Sequence, residues 1–265
     1  MIIMLSNAEI IKQGVMEGNF PQNLYKYRPL DDGEGEKRSL EILKKSEFWF
    51  ASAPTFNDPF DCNLSEVLQH SEEDIEAYID KHGFSSKKRS NIKKKFSDDP
   101  SSIRNMAINS RAKAINSRGI LSLSSNYDQI LMWSHYASSH TGMVIGLDIL
   151  EDPEFFEIPF RVSYVDEYEP LDYFAKQKES IKKNISTKSK SWAYEEELRI
   201  FKESVKTYQI SRKAIKTIHF GCKTPDEKIH EIIKSCATWD LSHLRFYKAS
   251  PAHGAFKLTF DEVHG

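Results

Sequence analysis

The chain has 265 residues, 39% hydrophobic and 29% charged, with a formal net charge of −2 and a mean hydropathy of −0.55. A chain of this kind buries a real core as one soluble α+β domain over 1–265. No apolar run approaches the ~20 residues of a membrane span, and the charge gives no global attraction to nucleic acid. Met1 to Leu5 is apolar but lacks the basic flank and cleavage site of a signal peptide. Cys62, Cys222 and Cys236 are widely spaced and contain no CxxC pair, so neither a disulfide framework nor a zinc knuckle is expected, and no metal site. A reducing cytoplasm is the expected compartment.

Residues 1–22 read as a lead-in ending at Pro21. Residues 24–28 alternate as a strand, with Tyr25 and Tyr27 on one face and Lys26 and Arg28 on the other. Pro29 ends it, and Asp31-Asp32-Gly33 turns the chain into a helix over 37–45. Residues 47–51 (EFWFA) form a short buried strand. The following loop, 52–61, holds two prolines around Asn57 and Asp58, which preclude a regular helix or central strand. Phe56 and Phe60 are expected to anchor it, so that Asn57 and Asp58 are placed accurately or else cap nearby backbone.

Residues 66–118 turn polar and helical, with helices over 71–82, 86–96 and 101–117, and are read as a helical insertion. The middle one carries Lys87, Lys88, Arg89, Lys93, Lys94 and Lys95, either a solvated face or a contact for phosphates. Strands follow at 119–124, 143–147 and 160–165, with a helix at 127–137 bearing Trp133 and Tyr136. A charged helix at 171–187 leads to the densest stretch, 192–201 (WAYEEELRIF). Read as one strand, it lines up Glu195, Glu197 and Arg199 on one face and sets Leu198 and Ile200 behind. Carboxylates roughly 7 Å apart on a strand face repel unless a cation or a substrate lies between them. A solvated face neutralised by Arg199 is the plainer alternative. Strands at 214–220, 244–247 and 255–260 and a helix at 225–236 complete the chain.

The pieces Tyr25-Lys26-Tyr27-Arg28, Phe56 to Asp61, Leu121 to Ser124, Met132 to Tyr136 with His140 and Gly142, and Lys188 with Trp192, Tyr194, Glu195, Glu197 and Arg199 resemble a bacterial domain-of-unknown-function family, DUF2971. More loosely, the layout is similar to ADP-ribosyltransferases, with Arg28 on an early strand, Ser122 or Ser124 on a middle strand, and an E-x-E pair at Glu195 and Glu197. There is no Ser-Thr-Ser motif, and the segment from Trp133 to Tyr136 has no counterpart.

This second resemblance implies a split, twisted, mostly antiparallel sheet and NAD as substrate. Glu197 would stabilise the positive charge that grows on the ribose carbon as nicotinamide leaves. Glu195 would orient the ribose or act as base. Arg28 would hold the pyrophosphate, Arg199 would assist, and Tyr25, Tyr27, Trp133 or Tyr136 would stack on nicotinamide. Asn57, Asp58, Ser122 and Ser124 complete the expected cofactor-binding set. The implied context is a toxin or phage-defence effector acting on a protein or nucleic-acid acceptor, with no membrane partner. Two alternatives stay open. A metal-dependent nuclease would hold Mg²⁺ on Asp58, Asp61, Glu195 and Glu197, with Lys188 or Lys202 near the phosphate. A non-catalytic sensor or interaction module would use the same pieces as scaffold.

Overall fold

The computed structural model describes residues 5–31 and 33–265; Met1 to Met4 of the lead-in, and Asp32 of the expected turn, lie outside the described residues. Helix α1 (Asn7–Met16) starts on a capping box, in which Ser6 and Glu9 satisfy each other's exposed backbone donors. Then come β1 (Asn23–Arg28), α2 (Glu34–Lys45), β2 (Glu47–Trp49) and three helices, α3 (Glu72–Lys81), α4 (Ser86–Asp98) and α5 (Pro100–Asn116). The middle of the chain holds β3 (Gly119–Ser124), α6 (Ile130–Tyr136), β4 (Met143–Asp148), α7 (Pro153–Phe156), β5 (Phe160–Arg161) and β6 (Ser163–Val165). It continues with α8 (Gln177–Ser186), β7 (Thr187–Ser189), a 3₁₀ segment (Lys190–Glu195) and β8 (Glu197–Lys202). The last elements are β9 (Thr207–Gln209), β10 (Ile215–Phe220), α9 (Asp226–Thr238), β11 (Arg245–Pro251) and β12 (Leu258–Val263).

Eight strands form one sheet in the order β12-β11-β10-β4-β1-β3-β8-β5. Its pairs are antiparallel except β10 with β11, which are joined through α9 as parallel neighbours require. The architecture is α+β. One large core packs α1, α2 and α9 on a sheet face through Ile11, Leu43 and Ile232 against Leu24, Ile145, Leu198 and Ile200. A second, on the other face, joins Trp133 of α6 to Tyr27 and Val144. Helices α3 to α5 have their own small core of Ile75, Ile79, Ile92, Ile103 and Ala107, closed by Tyr173 and Phe174. The expected helical insertion therefore includes a segment a hundred residues downstream, which adjacency in sequence hides.

Pairing along the sheet is uneven. Strand β1 matches β4 over six residues and β3 matches β8 over six, but β1 meets β3 at the single pair Tyr25–Ser124. Beyond that pair the two strands part. The Ser122 carbonyl on the open side is taken by Lys26 Nζ at 2.8 Å, which satisfies an acceptor that would otherwise lack a ladder partner. Among the described residues no helix is long and apolar enough to cross a membrane.

Three expectations are corrected. The charged helix starts at Gln177, because residues 171–176 are held as a turn by Asp172, which caps Ala175 N. Residues 47–49 leave the main sheet to pair with β9, which the sequence did not suggest. The stretch 192–201 is not one strand, since it is 3₁₀ up to Glu195 and extended only from Glu197. Gly142 marks a tight crossing, where an added Cβ would lie 2.3 Å from the Arg28 carbonyl and 2.8 Å from Ala137 backbone. Gly142→Ala is therefore expected to cost about 1–3 kcal/mol through overpacking, read as a lowered midpoint in chemical denaturation. An unchanged midpoint would mean that this crossing relaxes freely.

Candidate functional site

The gap between β1 and β3 opens into a cleft of about 800 Å³. By the alternation of the pleat, Lys26 and Arg28 belong to the face of Leu24, and Glu197 and Arg199 to the opposite one. The cleft is lined by side chains of both faces, including Lys26, Arg28, Asn57, Asp61, Ser122, Tyr136, Lys188, Glu195 and Glu197. Of the four expected walls, the strand at 25–28, the 57–61 loop, the end of α6 and the Glu195–Glu197 stretch all contribute.

Glu195 and Glu197 come together by a device the sequence hid. Glu196 adopts a left-handed conformation with φ 44°, sparsely populated for a residue with a side chain. It is held there by Ser125 Oγ and Asn126 Nδ2, which donate to its carboxylate at 2.9 and 3.3 Å. The kink lets both carboxylates reach one ammonium. Lys188 Nζ lies 2.5 Å from Glu195 Oε2, 3.4 Å from Glu197 Oε2 and 3.6 Å from Asp61 Oδ2.

The two carboxylates differ in environment. Burial raises the Glu197 carboxyl, but Arg199, Lys188 and a hydrogen bond from Ser122 outweigh it and bring it down to about 2. Arg199 grips it in a fork, with Nε 2.8 Å from Oε1 and Nη2 2.9 Å from Oε2. Glu195 is pushed above its ordinary value by burial, which Lys188 and Tyr136 only partly oppose. Tyr136 donates to Glu195 Oε1 at 2.7 Å and receives a 3.3 Å hydrogen bond from Asn57 Nδ2. Burial and Glu195 raise the Tyr136 phenol, so it remains a donor. Lys26, across the gap, is lowered to about 8 by burial and by Arg28, with Glu197 and Glu195 opposing. One carboxylate is thus fixed as an anion while its neighbour is shifted toward proton exchange, the separation that acid–base sites use.

Several expected ligand residues are placed otherwise. Trp133 is fully buried, donating to the Tyr127 carbonyl at 2.8 Å, so it cannot stack on a substrate. Tyr27 packs edge-on against it at 5.6 Å, and Tyr25 packs on Tyr127 at 5.1 Å. Both tyrosines border the cleft with their rings engaged in aromatic packing. Ser124 Oγ accepts from Asn126 N at 3.0 Å and shapes the turn after β3. Asp58 does not line this cleft; its carboxylate accepts from Phe60 N at 2.9 Å, the capping role open to it from the start. Phe60 is 74% exposed and anchors nothing, whereas Phe56 lies beneath Arg199.

Arg199 has no exposure at all and no donor left for a ligand. Lys202 is bound to Glu157 at 2.7 Å, outside the cleft lining. The basic side chains of α4 that are described lie on its exposed face. The sequence reading missed, among others, Lys26, Arg38, Trp49 and Met132 in the lining. For Lys26 the signal was present, since strand alternation puts it on the face of Arg28.

Residues 132–200 match the model of a family described as a protein of unknown function, DUF2971. No curated protein matches the chain, and no solved structure does. The matched span runs from α6 into β8 and carries Tyr136, Lys188, Glu195, Glu197 and Arg199, but neither Arg28 nor Asp61.

Removing the guanidinium would leave Glu197 and Asp61 buried without it. Arg199→Met is expected to cost about 3–5 kcal/mol, measured by denaturant unfolding at neutral pH. The Glu197 carboxylate, lower in the folded than in the unfolded chain, adds stability that is full above its ordinary 4.5 and is lost as pH falls through about 2. The destabilisation by Glu197→Gln should accordingly be largest above pH 4.5 and shrink toward pH 2. A penalty independent of pH would show that shape, not charge, holds this residue.

Proposed function

We propose, for a chain that belongs to the DUF2971 family, that the cleft binds NAD and cleaves its nicotinamide–ribose bond as an ADP-ribosyltransferase-like enzyme. The observation that carries this reading is one cleft with two unlike carboxylates, Glu195 and Glu197, and the Arg28 guanidinium on its opposite wall. A cavity of about 800 Å³ lies within the range of about 300–1,000 Å³ for small-molecule sites. The open seam between β1 and β3 agrees with the split sheet that the resemblance implies.

The chemistry follows from the charges. As nicotinamide departs, positive charge spreads over the ribose carbon and ring oxygen, and a fixed anion stabilises that state more than the ground state. Glu197, ionised across the working pH range, supplies it. Glu195, whose proton affinity is raised, accepts the proton of the attacking hydroxyl, amine or water. Tyr136 and Asn57 orient Glu195 through their hydrogen-bond chain. Lys188 keeps the carboxylates together before substrate arrives. Arg28 takes a phosphate oxygen in the fork geometry that lysine lacks.

The nuclease reading has less behind it. Asp58 is turned away, and the three carboxylates left are in contact with Lys188 and Arg199, cations that stand where a metal ion would have to bind. Among the described residues, the group with mutual metal-ligand spacing is Glu66, His70 and Asp172, where Arg111 pairs with Glu66 and His70 Nδ1 lies 3.1 Å from Asp172.

Purified protein incubated with NAD and mixed cellular protein and nucleic acid should release nicotinamide. Glu197→Gln and Glu195→Gln should each lower that rate by roughly 10²–10⁴ while remaining folded by circular dichroism. Nicotinamide release that persists in both variants, or none from the wild type with any acceptor fraction, would sink the assignment.

A further inference from the structure

Besides Glu195 and Glu197, the cleft is lined by Arg28, Arg38, Glu41, Lys45, Glu47 and Trp49. Its charges are unevenly satisfied. Lys45 pairs with Glu41 at 3.2 Å, and Glu47 accepts from Gln209 Nε2 at 2.5 Å, so both acids are engaged. Arg28 donates through Nε to Ser39 Oγ at 3.2 Å. Ser39, fully buried, is itself fixed by donating to the Gly35 carbonyl at 2.8 Å. That leaves both terminal nitrogens of Arg28 without a hydrogen-bond partner among the described residues.

Arg38, one helical step from Ser39 on α2, has among the described residues only a loose 3.8 Å contact with Glu34, both side chains being about 70% exposed, and such a contact contributes little. The two guanidinium groups repel each other: burial and then Arg38 lower the proton affinity of Arg28. Like charges that line one cleft are relieved by an anion. The planar, multi-donor guanidinium selects phosphate oxygens over a point-charge partner.

Trp49 lines the same cleft. Its neighbour Phe48 is buried in the main core, yet Trp49 is 58% exposed, and among the described residues no ring packs on it. A large flat apolar surface at the edge of a cationic cleft suits one class of ligand group, the face of a nucleobase.

We infer that Arg28, Arg38 and Trp49 form a nucleoside-diphosphate subsite, with the diphosphate on the two guanidinium groups and the base stacked on Trp49. The inference rests on the NAD reading for what fills the rest of the cleft, and it fixes which half of that dinucleotide these residues hold. It leaves the nicotinamide half to Glu195, Glu197 and Tyr136.

The test is calorimetric titration of the full chain with ADP, AMP and inorganic pyrophosphate, repeated with Arg38→Gln, Trp49→Ala and Trp49→Phe. Both positions are exposed, so the variants should fold, and their melting temperatures check this. ADP should bind more tightly than AMP. Arg38→Gln should weaken ADP and pyrophosphate alike, by roughly tenfold. Trp49→Ala should weaken ADP by roughly tenfold while leaving pyrophosphate unchanged, and Trp49→Phe should restore most of the loss.

ADP affinity indifferent to both Arg38→Gln and Trp49→Ala, or no binding of ADP and pyrophosphate by the wild type, overturns the subsite. The same variants assayed with NAD separate the two ideas. Variant-sensitive ADP binding by a protein that leaves NAD intact keeps the subsite and removes the cleavage reading. NAD cleavage with an unchanged KM in both variants removes the subsite alone.

Discussion

A single buried guanidinium sets the geometry of one side of the cleft. Arg199 has five N–H donors and makes five contacts: two to Glu197, one to Asp61 at 2.6 Å, one to the Ile185 carbonyl at 3.0 Å and one to Cys62 Sγ at 3.1 Å. A charge with no access to water is tolerable only when paired and fully hydrogen-bonded. These bonds tie β8 to the loop before α3 and to the last turn of α8, segments distant in sequence. The side chain that sequence reading offered as a helper in ligand binding is thus the bolt through three walls. Its forked grip also fixes the orientation of Glu197.

The fixing has a chemical consequence. Three carboxylates in one place would ordinarily share protons and blur their roles. Here Arg199 takes sides: it bonds Glu197 twice and Asp61 once, and Glu195 not at all. Glu195 is left with Lys188 and the Tyr136 hydroxyl, partners too few to offset its burial. Residues two apart in sequence therefore acquire opposite proton affinities. The strained Glu196 between them is what permits this, because a regular strand would hold Glu195 one pleat away.

The sequence was most readable where periodicity and burial agree. The alternation in residues 24–28 placed its side chains on the correct faces. Leu198 and Ile200 did anchor the carboxylate strand from behind, and α6 and β4 fell close to their expected places. It was least readable where a side chain decides the backbone. The turn at 190–196 depends on Ser189 Oγ accepting from Ser191 N and on the grip of Ser125 and Asn126 on Glu196. No local pattern announces a partner seventy residues upstream. Trp133 illustrates the converse: its composition suited a stacking platform as well as a core, and only the fit beneath Tyr27 decides between them. Asp58 and Asp61, three residues apart in one rigid loop, divide in the same way, one closing a turn and the other meeting Arg199.

The cleft itself is a property of topology more than of any motif. Six residues are paired on either side of the seam, in β1 with β4 and in β3 with β8, and one pair, Tyr25 with Ser124, crosses it. An open seam exposes backbone groups, and burial without partners would be costly. Lys26 resolves that by capping the Ser122 carbonyl, which puts a cation across from Glu195 and Glu197 and beside Arg28. The side chain that makes the gap tolerable thereby helps set its electrostatics. A plain apolar residue at position 26 would leave the carbonyl unsatisfied and the carboxylates with one cation fewer. On this argument the split in the sheet and the charge pattern of the site are a single feature, and Lys26 is the residue in which they meet.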